Sequence, residues 1–182
     1  MRPSVLPFLL PLYLLPGSSG AQLNINLGDR SIKVNSGSTL ECSGSVIISN
    51  AASRIWLNGL LRMNNPSTAA FNVTSGGIVN EYTGTGSGVV WNMNQAATYS
   101  IPFVNGSAQA IPLVITPSSA FAGTRDVSTA TYASASNNTP APFLVGNTQI
   151  NGSEGSALMA DRFWSLSSSQ LMDATVVFNH GT

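Results

Sequence analysis

Residues 31–63 read SIKVNSGSTLECSGSVIISNAASRIWLNGLLRM. Short runs of branched and aliphatic residues alternate there with clusters of Gly, Ser and Asn. The runs are Ser31 to Asn35, Thr39 to Cys42, Ser45 to Ser49, Arg54 to Leu57 and Leu60 to Met63. Between them lie Ser36-Gly37-Ser38, Ser43-Gly44, Asn50 to Ser53 and Asn58-Gly59. Branched side chains suit a pleated surface, and Gly, Asn and Ser suit tight turns. Each run therefore predicts a short strand, and each cluster a turn. The same rhythm extends upstream to Leu23–Leu27 and downstream to Ala70–Thr74 and Ile78–Tyr82. No long stretch of this region places apolar residues at helical spacing, so the chain reads as all-β.

Two architectures produce such a rhythm. In a set of hairpins each strand pairs with the next, and Asn58-Gly59 between two apolar runs is a hairpin signal. In a β-solenoid each coil stacks on the one before. Asn recurs at strand ends (Asn35, Asn50, Asn58, Asn64, Asn65, Asn80), where stacked turns can share side-chain hydrogen bonds. The connections are also too short for a sandwich of long loops. The reading favoured is a short β-solenoid-like region over 22–88, with about three coils of roughly 20 or more residues each.

Thr83 to Gly88 alternates Gly with small hydroxyl residues and reads as a flexible crossing. Beyond it the strands lengthen: Val89–Met93, Tyr99–Val104, Ile111–Thr116, Val127–Ala133, Leu158–Leu166 and Ala174–Asn179. Pro102, Pro112 and Pro117 fall at strand edges or starts, where a missing N–H is tolerated. Residues 89–182 are expected to form an antiparallel β-sandwich, with a polar loop over Ala133 to Pro142.

The first 21 residues read as an address. Met1-Arg2 is positive, Val5 to Leu15 is apolar, Pro16 breaks the run, and Ser19-Gly20-Ala21 supplies small residues. That order is a secretory signal peptide, with cleavage expected after Ala21. The apolar core is far shorter than the roughly 20 residues a helix needs to span a bilayer. The expected location is extracellular or at the cell surface, with no membrane span after cleavage.

Seven Lys and Arg balance seven Asp and Glu, and charged residues make up 8% of the chain, against roughly 25% in an ordinary soluble domain. With no basic surplus to neutralise phosphates, nucleic-acid binding is not expected. The single Cys, Cys42, has no partner within the chain for a disulfide, and one His makes no metal cluster. Polarity comes from 26 Ser, 14 Thr, 17 Asn and 17 Gly.

The second half carries Val89-Val90-Trp91-Asn92, then Tyr99 to Gly106, then Ile111-Pro112-Leu113-Val114-Ile115, and finally Asp161-Arg162-Phe163-Trp164 before Ala174 to Phe178. Together with the Gly/Asn-rich repeats, this pattern over residues 30 to 182 resembles modules of large secreted, cell-surface β-repeat proteins of Bacteroidetes-type bacteria. Ile101-Pro102-Phe103 departs from the resemblance, standing where those modules carry Phe-Pro-x-Gly. The resemblance implies an adhesin-like or scaffold role and no catalytic residue. Proteins of that kind run on into further domains, so a sandwich cut short at Thr182 is among the expectations.

Candidate sites are few. Asp161, Arg162, Phe163 and Trp164 form a dense motif whose structural reading stacks the Arg162 guanidinium on the Trp164 indole. Trp56, Tyr82 and Trp91 are candidate glycan contacts, since aromatic faces stack on sugars. The seven acids (Asp29, Glu41, Glu81, Asp126, Glu154, Asp161, Asp173) are scattered. Only Glu41 and Glu81 are candidates for stacking between coils, and Asp126 or Glu154 for calcium. His180 lacks a nucleophile beside it in any recognisable motif. The expectation is a non-enzymatic module without cofactor, whose partners are surface glycans or other cell-surface proteins. A carbohydrate-binding module or a piece of a β-helix polysaccharide enzyme is the alternative.

Overall fold

The computed structural model describes residues 23–25, 31–81, 86–134, 149–150, 153–154 and 162–180. The signal peptide, Tyr82, Asp161 and most of the polar loop after Ala133 lie outside the described residues. Every regular element among the described residues is a strand.

The first nine strands are β1 (Leu23–Ile25), β2 (Ser31–Val34), β3 (Thr39–Cys42), β4 (Val46–Ile48), β5 (Arg54–Leu57), β6 (Leu60–Met63), β7 (Phe71–Val73), β8 (Gly77–Val79) and β9 (Gly88–Met93). β1 to β6 each pair in parallel with the strand three places on. β1, β4 and β7 form one sheet, β2, β5 and β8 a second, and β3, β6 and β9 part of a third. The chain thus visits three sheets in rotation, three times, with a repeat of about 23 residues (Ser31 beside Arg54 beside Gly77). The hairpin reading of Asn58-Gly59 fails. β5 and β6, which flank that dipeptide, belong to different sheets and do not pair. The dipeptide turns a corner, and the Asn58 and Gly59 amides donate to the Val34 carbonyl of the previous round at 2.9 and 3.1 Å.

Why the corner needs glycine is visible in its surroundings. A Cβ on Gly59 would sit 2.3 Å from the carbonyl oxygens of both Asn35 and Ser38. Corners of successive rounds press together closely enough that backbone carbonyls fill the place of a side chain.

Parallel register puts like residues above one another. Ile32, Ile55 and Ile78 form one inward column, and Cys42, Met63 and Trp91 another. Ile55, Ile78, Met63 and Trp91 are fully buried, and Cys42 nearly so. Cys42 is thus a small buried apolar group, as the sequence suggests. Two asparagine side chains tie rounds together. Asn65 donates to the Gly44 carbonyl at 2.9 Å, and Asn80 to the Leu57 carbonyl at 3.1 Å. Asn80 is completely buried and also accepts from the Thr131 amide at 3.1 Å. A buried amide that satisfies backbone groups on both sides fixes strand position more firmly than aliphatic contact does.

Pairing changes from parallel to antiparallel after β9. β10 (Tyr99–Ile101), β11 (Leu113–Pro117) and β16 (Ala174–Phe178) form an antiparallel sheet. β12 (Arg125–Ala133) adds antiparallel to β9, and β15 (Arg162–Ser168) antiparallel to β12. β13 (Gln149–Ile150) and β14 (Ser153–Glu154) form a separate two-stranded pair. The crossing expected over Thr83–Gly88 has a sharper end than its composition suggests. Gly88 is the first residue of β9, in register with Leu60. One five-stranded sheet, in the order β15-β12-β9-β6-β3, therefore runs from the rotating strands into the antiparallel ones. The buried core is likewise continuous, from Val34 and Val46 to Ile115 and Val127.

Trp91 stands where the sheets converge. It is fully buried on β9 and meets Phe71 of β7 at 4.9 Å and Tyr99 of β10 at 5.0 Å, both edge to face. Its indole N–H donates to the Asn65 carbonyl at 2.9 Å. Among the described residues no helix is long and apolar enough to cross a membrane.

Candidate functional site

The motif residues Arg162, Phe163 and Trp164 open β15, at the edge of the five-stranded sheet. The expected stacking of Arg162 on Trp164 gives way to an ion pair. Arg162 donates to Glu81 Oε1 at 2.7 Å and to Thr131 Oγ1 at 3.1 Å, and its side chain is only 9% exposed. The other Glu81 oxygen accepts from the Ala133 amide at 2.6 Å. A carboxylate both charge-paired and hydrogen-bonded outcompetes an aromatic face for a guanidinium. The cation–π contact that does form is Arg125 over Phe121, at 4.2 Å. Trp164 instead packs between Phe103 at 5.9 Å and Phe178 at 5.7 Å. Phe163 lies on the opposite face of the strand, stacked on Tyr132 at 6.3 Å. Glu81, Arg162, Asn105, Gly106, Ser107 and Ala133 border a polar hollow of about 430 Å³.

A second charged cluster lies on the outer face of the same sheet. Arg62 pairs with Asp126 at 2.8 Å, and Asn92 donates to the other oxygen of Asp126 at 3.1 Å. These bonds, Arg62 first, hold the Asp126 carboxyl below its ordinary value of 3.8. The cationic partner makes this carboxylate a poor calcium ligand. Glu41 stands in register with Arg62, whereas Glu81 is bound to Arg162, so the two glutamates do not stack on one another. Among the described residues no three His, Cys, Asp or Glu side chains gather in a way that would hold a metal ion.

Asp126 carries a pH dependence of definite sign. A carboxyl with a lowered folded pKa stabilises the fold above its unfolded value and loses that contribution as pH falls through the folded one. Stability is therefore expected to decline as pH drops below about 3.8. An Asp126→Asn variant should show a shallower decline over that range, as read by urea unfolding at a series of pH values. Both side chains of the pair are about a third exposed, so the difference should be modest.

The three candidate glycan contacts separate. Trp56 is 39% exposed on β5, beside Lys33 of β2. Trp91 is 0% exposed, which puts it beyond the reach of any sugar and corrects its place among the candidates. The unbroken apolar run Val89-Val90-Trp91, the mark of a strand covered on both faces, was the available signal in the sequence. Tyr82 lies outside the described residues. Neither ion pair was legible, because the partners are 81 and 64 residues apart and meet only through strand order.

No family model, curated protein or solved structure matches this chain.

Proposed function

We propose that the chain is an exported structural or adhesive module at the cell surface, without catalytic activity, built as a short three-sided β-solenoid joined to an antiparallel sandwich. The solenoid reading rests on the rotation of strands through three parallel sheets. The sandwich reading rests on Trp164, which touches Phe178 across the two antiparallel groups. The observation that carries the functional reading is the use made of the charges. Arg162 with Glu81, and Arg62 with Asp126, clasp strands far apart in sequence. Much of the remaining polar chain is Ser, Thr and Asn in turns, which offers broad uncharged contact. The Bacteroidetes-type resemblance points the same way, with surface glycans or other cell-surface proteins as partners.

Export is tested by treating intact producing cells with a protease. The expected result is removal of the chain from the cells, with an N-terminal peptide starting at Gln22. A chain that stays protected inside the cell with Met1 to Ala21 attached refutes the reading.

A second reading, carbohydrate binding, is favoured by the exposed ring of Trp56 on β5, beside Lys33 of β2. A glycan array probed with the protein and with Trp56→Ala tests it. Binding through this face predicts loss of signal in the variant at an unchanged unfolding midpoint. Equal signals for both proteins place the contact elsewhere.

A further inference from the structure

Most sheet edges in this chain are guarded. β2 carries Lys33 and β3 carries Glu41. β1, β7 and β10 are three residues long, and Pro102 follows β10 at once. Phe103 bridges onto β8. Charge, brevity, proline and cover are the ways natural sheets discourage an added strand.

Among the described residues β15 and β16 are the longest edge strands. β15 is seven residues long and pairs there with β12 alone; β16 is five residues long and pairs there with β11 alone. The one charge on β15, Arg162, is turned inward to Glu81. β16 has no charge and no proline. The two edges lie on the same side of the molecule. Between them opens a groove of about 680 Å³, with Leu166, Leu171, Met172, Ala174 and Val176 in its walls. Among the described residues, four of the five exposed large apolar side chains are Leu166, Leu171, Val177 and Phe178, on these strands and their connection, and Leu171 is 97% exposed.

We propose that this face pairs with the same face of a second copy of the chain, β15 against β15, antiparallel about a twofold axis through Ser165. The strand is self-complementary in that register. Trp164 falls opposite Leu166 of the mate on the groove side, Phe163 opposite Ser167 on the outer side, and Arg162 opposite Ser168. No charge meets a like charge, and a bulky ring meets a smaller group each time. A charged foreign strand would find no counter-charge between Phe163 and Ser168, whereas a second copy brings the same neutral stretch. Pairing joins two five-stranded sheets into one, covers the β15 edge of each copy, and closes by symmetry rather than running on into a fibre. This inference stands apart from the adhesive reading and does not depend on it.

Sedimentation of the protein as purified after export, at about 10 to 100 µM, is the test, since that range resolves micromolar association. The wild type should be a dimer. Ser165→Lys and Ser165→Glu each put like charges opposite one another at the axis and should weaken self-association roughly fivefold. An equimolar mixture of the two should recover the dimer. Ser165 is exposed, and an unchanged unfolding midpoint shows that the variants fold. Leu166→Lys, which points a charge into the groove, should also weaken self-association. A wild type that is monomeric throughout overturns the proposal, including one that instead captures extended peptides of other sequence. So do Ser165 variants that associate as well as the wild type, because the contact then lies on another face.

Discussion

Replacing Trp91 with alanine is expected to cost the fold about 3–5 kcal/mol, the range for deleting a large buried aromatic. Three losses combine. The ring is fully buried, so its removal opens a cavity where β7, β9 and β10 meet. Edge-to-face contacts with Phe71 and Tyr99 vanish, each worth about 0.5–1.5 kcal/mol beyond area. The Asn65 carbonyl loses the indole N–H that now reaches it. Tyr99 is itself anchored, donating to the Pro66 carbonyl at 3.2 Å, which limits collapse of its ring into the gap. Thermal unfolding should show a midpoint lower by roughly 10 °C for a chain of this size. Trp91→Phe, which keeps most of the ring contacts, should lose clearly less. A Trp91→Ala protein with an unchanged midpoint would mean that the ring does not join these strands.

The second large effect is expected at Gly88. Its φ of +136° lies in a region that residues with a Cβ rarely adopt. An added Cβ would lie 2.3 Å from the Thr129 carbonyl oxygen, on the neighbouring strand β12. Backbone cannot swing aside as a flexible side chain can. Strain of about 1–3 kcal/mol for the dihedral adds to an overpacking cost of similar size. Gly88→Ala should therefore destabilise by roughly 3 kcal/mol or more in urea unfolding. Gly86→Ala is the control. It also has a positive φ, but nothing lies within 4 Å of an added Cβ, so it should cost less. Equal costs at the two positions would show that the close approach of β12 contributes nothing.

Gly88 also shows where sequence reading runs out. Gly-rich composition over Thr83–Gly88 suggests a crossing, and composition cannot distinguish a loop glycine from one that admits a neighbouring strand. Strand positions fared better because their signal is local. Thr39–Cys42, Arg54–Leu57 and Leu60–Met63 match the strands residue for residue. Each is bounded on both sides by turn-formers, which leaves little freedom in its ends. β12 begins two residues earlier than expected, at Arg125, and β15 ends two residues later, at Ser168, where a run of serines blurs the boundary.

Pairing was legible only in part. Asn58-Gly59 carries the local chemistry of a hairpin, yet Ile32, Ile55 and Ile78 gain more by stacking in one column. The outcome depends on residues about 23 positions apart, a distance at which no local rule acts. The same distance hid the partners of the motif. Arg162 and Trp164 share a strand face, so a stacked pair was the nearest local solution. Glu81, two residues past the end of β8, supplied a stronger one. Of the glycan candidates, Trp56 and Trp91 both sit in alternating or apolar strands. Only the addition of β12 and the packing of Phe71 and Tyr99 decide that Trp91 is core.

The proposed function rests on contact rather than on a pocket, and contact can be measured. Beads coated with the purified chain should be retained on a monolayer of partner cells or on a surface glycan coat more strongly than bare beads. Because 8% of the residues are charged and each of the two ion pairs among the described residues already satisfies its own charges, retention should change little between about 0.05 and 0.5 M salt, a range over which exposed charge pairs are largely screened. Retention no better than that of bare beads on every surface tried, or release of cleaved sugar from the glycan coat, would contradict the account.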